Sequence, residues 1–172
     1  MGLWLITSKS DPEGRFPYCK NEGAVSRLRV SVKRFARFWK YHRFDQCGIV
    51  MYLDSENWLK GSVEYKNEQF QHLGSVVKNH GYSDWTTTAI PADVKVMWYR
   101  FSRREDDYCI ECSTDGEDYT QMRICHMWEG AGKIRFGIYA CSPENSSFTA
   151  VITDMKVIEC AGKANDGQQP DK

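Results

Sequence analysis

Trp58, Lys60, Ser62 and Glu64 lie two residues apart. On an extended chain that spacing sets an aromatic ring, an ammonium, a hydroxyl and a carboxylate in one row. Such a row suits a polar ligand. Flat rings cover the apolar faces of a sugar, and the charged and hydroxyl groups bond its hydroxyls. Tyr52 precedes the row, His72 follows it, and Trp98 and Arg100 share one face of a later segment. The candidate ligand-binding set is therefore Tyr52, Trp58, Lys60, Glu64, His72, Trp98 and Arg100, provided that their strands are neighbours in one sheet. Trp85, in the run Tyr82-Ser83-Asp84-Trp85, is a further aromatic candidate. The bland alternative puts Trp58 and Trp98 in the core and makes Arg100 a rim charge. Lys60 and Glu64 then form a surface pair worth roughly a few tenths of a kcal/mol.

Other chemistries find less support. Two-apart neighbours of Glu64 are Ser62 and Lys66, and those of Glu111 are Cys109 and Ser113, so neither carboxylate has an acidic partner on its own strand. Glu64 and Glu111 could meet only across a sheet. No G-x-S-x-G is present, and His42, His72, His80 and His126 lack motif partners. Neither a phosphate loop nor a dinucleotide fingerprint occurs. The seven cysteines (Cys19, Cys47, Cys109, Cys112, Cys125, Cys141, Cys160) are read as reduced thiols. Cys109 and Cys112 have metal-ligand spacing but fall in a strand pattern, where residues three apart face opposite sides. The expectation is no catalytic residue, no metal and no cofactor.

The elements that must position the candidate row are strands. Gln46–Leu53 and Trp58–Tyr65 alternate around the turn Asp54-Ser55-Glu56-Asn57. Gln69–Lys78 is a third strand, His80–Asp84 a loop, and Trp85–Thr88 a short strand. Val94–Arg103 alternates for its whole length. Asp107–Ser113 and Tyr119–His126 flank Thr114–Asp118, whose Asp115-Gly116 is a hairpin signal. Lys133–Cys141 and Phe148–Ile158 close the series. No helix-period segment of useful length appears. Turns at this spacing predict an all-β protein, a two-sheet β-sandwich of jelly-roll type.

At 172 residues the chain is long enough for one domain with a real core. Its formal net charge of +0 gives no global reason to bind nucleic acid or an anionic membrane. No run approaches a membrane span, and Met1–Asp11 has neither a secretory nor a myristoylation pattern. A cytoplasmic location is the expectation. Residues 1–44 differ in texture. Ser26–Lys33 alternates, then Arg34–Arg43 interleaves bases with Phe35, Phe38, Trp39 and Tyr41. That mixture can bind single-stranded nucleic acid. No matching basic patch follows, so a half-buried strand pair with a solvated basic face is the better reading. The polar tail 161–172 is expected to be disordered.

Residues 45–157 resemble the domain of unknown function 1349 family of the concanavalin A-like lectin/glucanase superfamily. The resemblance is carried by DQCGIVMYLDSENWLKGSVEY, Gly74-Ser75-Val76-Val77, Tyr82-Ser83-Asp84-Trp85 and Trp98-Tyr99-Arg100. Ser113–Tyr119 and Phe136–Pro143 continue it in order. It extends to the concanavalin A-like domains at the C-terminal end of some β-xylosidases. The resemblance implies a concanavalin A-like jelly roll over 45–160 and no settled activity. The E-x-D-x-E strand of laminarinase-type relatives is absent. The family's usual opening, a Phe-Trp-Arg segment and an aromatic-rich stretch, is also absent from 1–44, which is taken as divergent through truncation or frameshift. The leading functional expectation is a non-catalytic protein that binds a carbohydrate or small polar ligand. The alternatives are a glycosidase-like enzyme using Glu64 with a partner acid, and a regulatory protein-interaction module. The oligomeric state is not legible.

Overall fold

The computed structural model describes residues 18–19, 24–31 and 42–159, apart from 105, 133, 145–147 and 149. The alternating segments form strands in chain order: β1 (Tyr18–Cys19), β2 (Ala24–Ser31), β3 (Gln46–Tyr52), β4 (Trp58–Tyr65), β5 (Phe70–Asn79) and β6 (Tyr82–Pro91). They continue as β7 (Val96–Arg104), β8 (Asp107–Ser113), β9 (Thr120–His126), β10 (Ile134–Cys141) and β11 (Val151–Glu159). Every pairing is antiparallel. Among the described residues one sheet has six strands in the order β1-β10-β3-β4-β5-β6, and the other has five in the order β11-β2-β7-β8-β9. The chain is an all-β, concanavalin A-like jelly-roll sandwich. No helix of the described residues is long and apolar enough to cross a membrane.

Alternation builds the core. Cys47, Ile49 and Met51 of β3 and Leu59 of β4 pack inward from the six-stranded sheet. They meet Met97, Tyr99 and Phe101 of β7 and Tyr108, Ile110 and Cys112 of β8. Ile134, Phe136 and Ile138 of β10 complete the layer. Each large apolar side chain so buried contributes about 1.5–3 kcal/mol. Cys112 belongs to this core, while Cys109, of opposite parity on β8, faces outward.

Local chemistry shapes the turns. Asp54 accepts hydrogen bonds from the Glu56 amide (2.8 Å) and the Asn57 side chain (3.0 Å), which reverses the chain between β3 and β4. His80 and Gly81, at φ 48° and 85°, form a two-residue loop of the primed type that matches strand twist. The expected loop His80–Asp84 is thus only His80-Gly81, and β6 spans ten residues rather than Trp85–Thr88. Once so tight a turn is set, the β-prone run Thr86-Thr87-Thr88 continues the ladder on β5 at both ends.

The N-terminal strands are built into both sheets. β1 pairs with β10, and β2 lies between β7 and β11. Of the basic-aromatic segment Arg34–Arg43, only His42 and Arg43 are among the described residues, and the tail 161–172 lies outside them.

Candidate ligand-binding face

With Leu59 in the core and the Cβ position of Gly61 directed at Ile110 and Tyr99, the alternate residues of β4 must face outward. Trp58, Lys60, Ser62 and Glu64 therefore lie on the outer face of the six-stranded sheet. Strand register extends each into a row. Cys141, Gln46, Glu64, His72 and Ala89 form one, and Tyr139, Gly48, Ser62, Gly74 and Thr87 the next. Gly137, Val50, Lys60, Val76 and Trp85 follow, then Arg135, Tyr52, Trp58, Lys78 and Ser83. Small residues in the second row make a low lane across β3, β4 and β5. Gly48 is required there, because a Cβ would overlap the Gly61 carbonyl oxygen and lie 2.7 Å from Ser62 Cα.

A polar network borders the lane. Lys60 Nζ donates to Gln46 Oε1 (2.5 Å) and to the Tyr139 hydroxyl (3.1 Å), and lies 4.2 Å from the centre of that ring. Gln46 Nε2 donates to Glu64 Oε2 (3.0 Å), and Lys66 pairs with Glu64 Oε1 (2.5 Å). Asp45 anchors the network from below. It accepts from Ser142 Oγ (2.6 Å) and the His42 amide (3.1 Å), tying the start of β3 to the end of β10. Burial lowers the proton affinity of Lys60, and the nearby Glu64 carboxylate partly restores it. Burial also raises the Tyr139 phenol well above its ordinary value, so it stays a neutral donor and acceptor. The arrangement holds the half-buried Glu64 carboxylate and Lys60 ammonium at fixed positions beside the buried Gln46 and Tyr139, with an exposed indole, Trp85, on the edge strand β6.

Five of the seven candidates share this face: Tyr52, Trp58, Lys60, Glu64 and His72. Glu64 stands directly opposite His72, and Tyr52 opposite Trp58. The Arg135 guanidinium lies over the Tyr52 ring, 5.0 Å from its centre.

The other two do not converge with them. Trp98 and Arg100 are on β7, in the five-stranded sheet, on the opposite outer surface of the sandwich. Parity within β7 was right, but its sheet was not the one assumed. Arg100 Nε and Nη2 donate to Glu111 Oε2 and Oε1 at 2.5 and 2.7 Å, a buried bidentate pair, and Tyr119 lies under the guanidinium at 4.3 Å. Gly116, at φ 86°, presses against the Trp98 indole, where a Cβ would approach within 2.7 Å. Asp115 fixes this hairpin by accepting from Ser113 Oγ and the Glu117 and Asp118 amides, which hold its carboxyl at a pKa of about 2. Neither tryptophan of the bland alternative is in the core: Trp58 and Trp98 are half-buried on opposite outer faces. Glu64 and Glu111 are likewise on different sheets.

Sequence reasoning missed Gln46 and Tyr139. Alternation within β3 and β10 already put them opposite the apolar rows, but the pairing of β10 with β3 joins strands far apart in the chain and leaves no local trace.

The model of the family described as protein of unknown function (DUF1349) matches residues 4–160. The chain belongs to the DUF1349 family. The match begins well before Asp45 and takes in β1 and β2. Within the curated proteins, Regulation of enolase protein 1 of Saccharomyces cerevisiae is 26% identical over 121 residues, 70% of this chain and 60% of that protein. The chain thus aligns with about 60% of that relative's length. A crystal structure of a functionally unknown protein from Saccharomyces cerevisiae has a TM-score of 0.72 at 22% identity, covering 86% of this chain and 75% of that one. Xylan beta-1,4-xylosidase from Bacillus halodurans C-125 has a TM-score of 0.67 at 14% identity, covering 81% of this chain and 28% of that one. At these identities the two solved structures share the fold of this DUF1349 chain.

Proposed function

We propose that the outer face of the six-stranded sheet binds a carbohydrate or a comparable small, hydroxyl-rich ligand without transforming it. The observation that carries this reading is the linked set Gln46, Lys60, Glu64 and Tyr139 beside the Gly48–Ser62–Gly74 lane. Gln46 and Tyr139 are buried and hold the half-buried Lys60 and Glu64 in place, so a ligand hydroxyl meets a donor and an acceptor that cost little to order. Trp85 supplies an exposed ring at the edge of the same face. The fold shared with part of a xylan xylosidase agrees with sugar recognition.

The hydrolytic reading has weaker support. Retaining glycosidases need two carboxyl groups about 5–5.5 Å apart and inverting ones about 6.5–9.5 Å. Among the described strand residues of this face, Glu64 is the carboxylate, and its cross-strand neighbours are Gln46 and His72. The regulatory reading rests on the name of the yeast relative alone.

Titration calorimetry against xylo-oligosaccharides and a broader glycan array tests the proposal. A ligand bound by the wild type should lose at least about tenfold in affinity with Glu64→Gln and with Trp85→Ala, roughly the 1.4 kcal/mol of one good polar or stacking contact. Glu117→Ala, on the exposed hairpin of the other sheet, should bind unchanged. Equal binding by all three variants, or no glycan bound at millimolar concentration, refutes it.

A further inference from the structure

The far edge of the six-stranded sheet is the second surface with unspent chemistry. β6 has β5 on one side and, among the described residues, no strand on the other. Every residue from Tyr82 to Ala89 is exposed, and so is Pro91. Exposure extends to both faces, because the five-stranded sheet ends at β9, beside β5, and leaves β6 overhanging. Arg123 of β9 reaches across to Asp84 at 3.1 Å. Natural edges of this length are usually blunted by lysines, a bulge or an early proline. This one has Asp84 as its single charge, no bulge in its pairing with β5, and its proline in the last position.

The turn tells which backbone groups are free. A two-residue primed loop makes Asn79 and Tyr82 a hydrogen-bonded pair. Alternation then directs the N–H and C=O groups of Tyr82, Asp84, Thr86, Thr88 and Ile90 towards β5. Those of Ser83, Trp85, Thr87 and Ala89 point outward into solvent. Pro91 adds a carbonyl and no donor.

We propose that β6 pairs antiparallel with β6 of a second copy of this chain, about a two-fold axis centred on Thr86. That register sets Ser83 opposite Ala89 of the second copy and Trp85 opposite Thr87, so each outward donor meets an outward acceptor and Pro91 falls outside the ladder. Asp84 faces neutral Thr88, and Tyr82 faces Ile90. Charge therefore permits self-pairing: no carboxylate meets its own copy in this register, whereas an axis at Asp84 would stack two of them. A two-fold contact needs one surface complementary to itself, and this edge is. The pairing joins the two six-stranded sheets into one continuous sheet, with all outer faces on the same side. It is independent of whether that face binds a sugar.

Sedimentation velocity over a concentration series tests the pairing on the full chain. The wild type should be dimeric, and Thr87→Pro should be monomeric with an unchanged far-ultraviolet spectrum and melting temperature, because the lost N–H serves only the outward ladder. Thr86→Cys supplies a second measurement. The residue on the axis meets its own copy as a non-hydrogen-bonded pair, with Cα atoms about 4.5 Å apart, within disulfide range. Mild oxidation should give a dimer linked through position 86, identified by peptide mass, and Thr88→Cys should not cross-link to itself. A wild type that is monomeric at the highest concentration, or a dimer untouched by Thr87→Pro, overturns the proposal.

Discussion

Lys60 and Arg100 are both cations on the outer side of a strand, yet they are held differently. Arg100 is committed to Glu111 through two hydrogen bonds in a buried setting. Removing one partner strands the other charge, so Glu111→Ala should lower unfolding stability by about 3–5 kcal/mol in urea titration. The double substitution Arg100→Met with Glu111→Leu should recover most of that loss, since the desolvation of both charges disappears. Lys60 keeps its proton less firmly than an ordinary lysine because it is buried. In the unfolded chain it returns to its ordinary value of 10.5. Between the lowered folded value and 10.5 the unfolded chain binds more protons, so this residue makes stability rise with pH. Tyr139, raised in the folded state, acts in the opposite sense at still higher pH. Between pH 8 and 10 the urea midpoint of the wild type should therefore rise relative to that of Lys60→Met as pH increases. A constant gap would mean that Lys60 holds its proton as firmly as it does unfolded.

At the scale of the strand, the decisive residues are those that let neighbours come close. Gly48 sits where β3 presses on β4, and the Cβ of any other residue would strike the Gly61 carbonyl. Gly48→Ala should cost about 1–3 kcal/mol by thermal or urea unfolding, the usual scale of overpacking in a fixed site. The same change should raise the floor of the lane and weaken any ligand of this face. Element boundaries were largely legible. Period-2 alternation and the turn chemistry of Asp54–Asn57 and Asp115-Gly116 mark β3, β4, β8 and β9 within a residue or so of their ends. β2, β7 and β11 begin two or three residues away from their expected starts, and β6 departs most, because its polar, threonine-rich sequence has no apolar alternation when neither face is covered.

Over the whole molecule, local pattern and long-range pairing part company. Side-chain parity was readable for each candidate: it put Trp58, Lys60 and Glu64 on one face of their strand, but it left open whether that face was core or surface. What parity cannot carry is which strand lies beside which. The sheets interleave the chain: β2 pairs with β7 and β11, and β10 returns to β3. Such contacts span most of the sequence and depend on the sandwich as a whole. That is why Trp98 and Arg100 were grouped with a face they do not share, and why Gln46 and Tyr139 were not recognised as partners of Lys60.

The His80-Gly81 loop has a consequence for how this gene can vary. A residue gained or lost within β-hairpins is often absorbed, but here it would shift the alternation of β6 by one step. Trp85 would exchange sides with its neighbours, and the backbone groups turned towards β5 would become those turned to solvent. Loop length at this corner is therefore coupled to the surface chemistry of an entire strand. Length changes in natural variants should be rare at residues 80–81 and should instead collect in longer loops that carry no such phase.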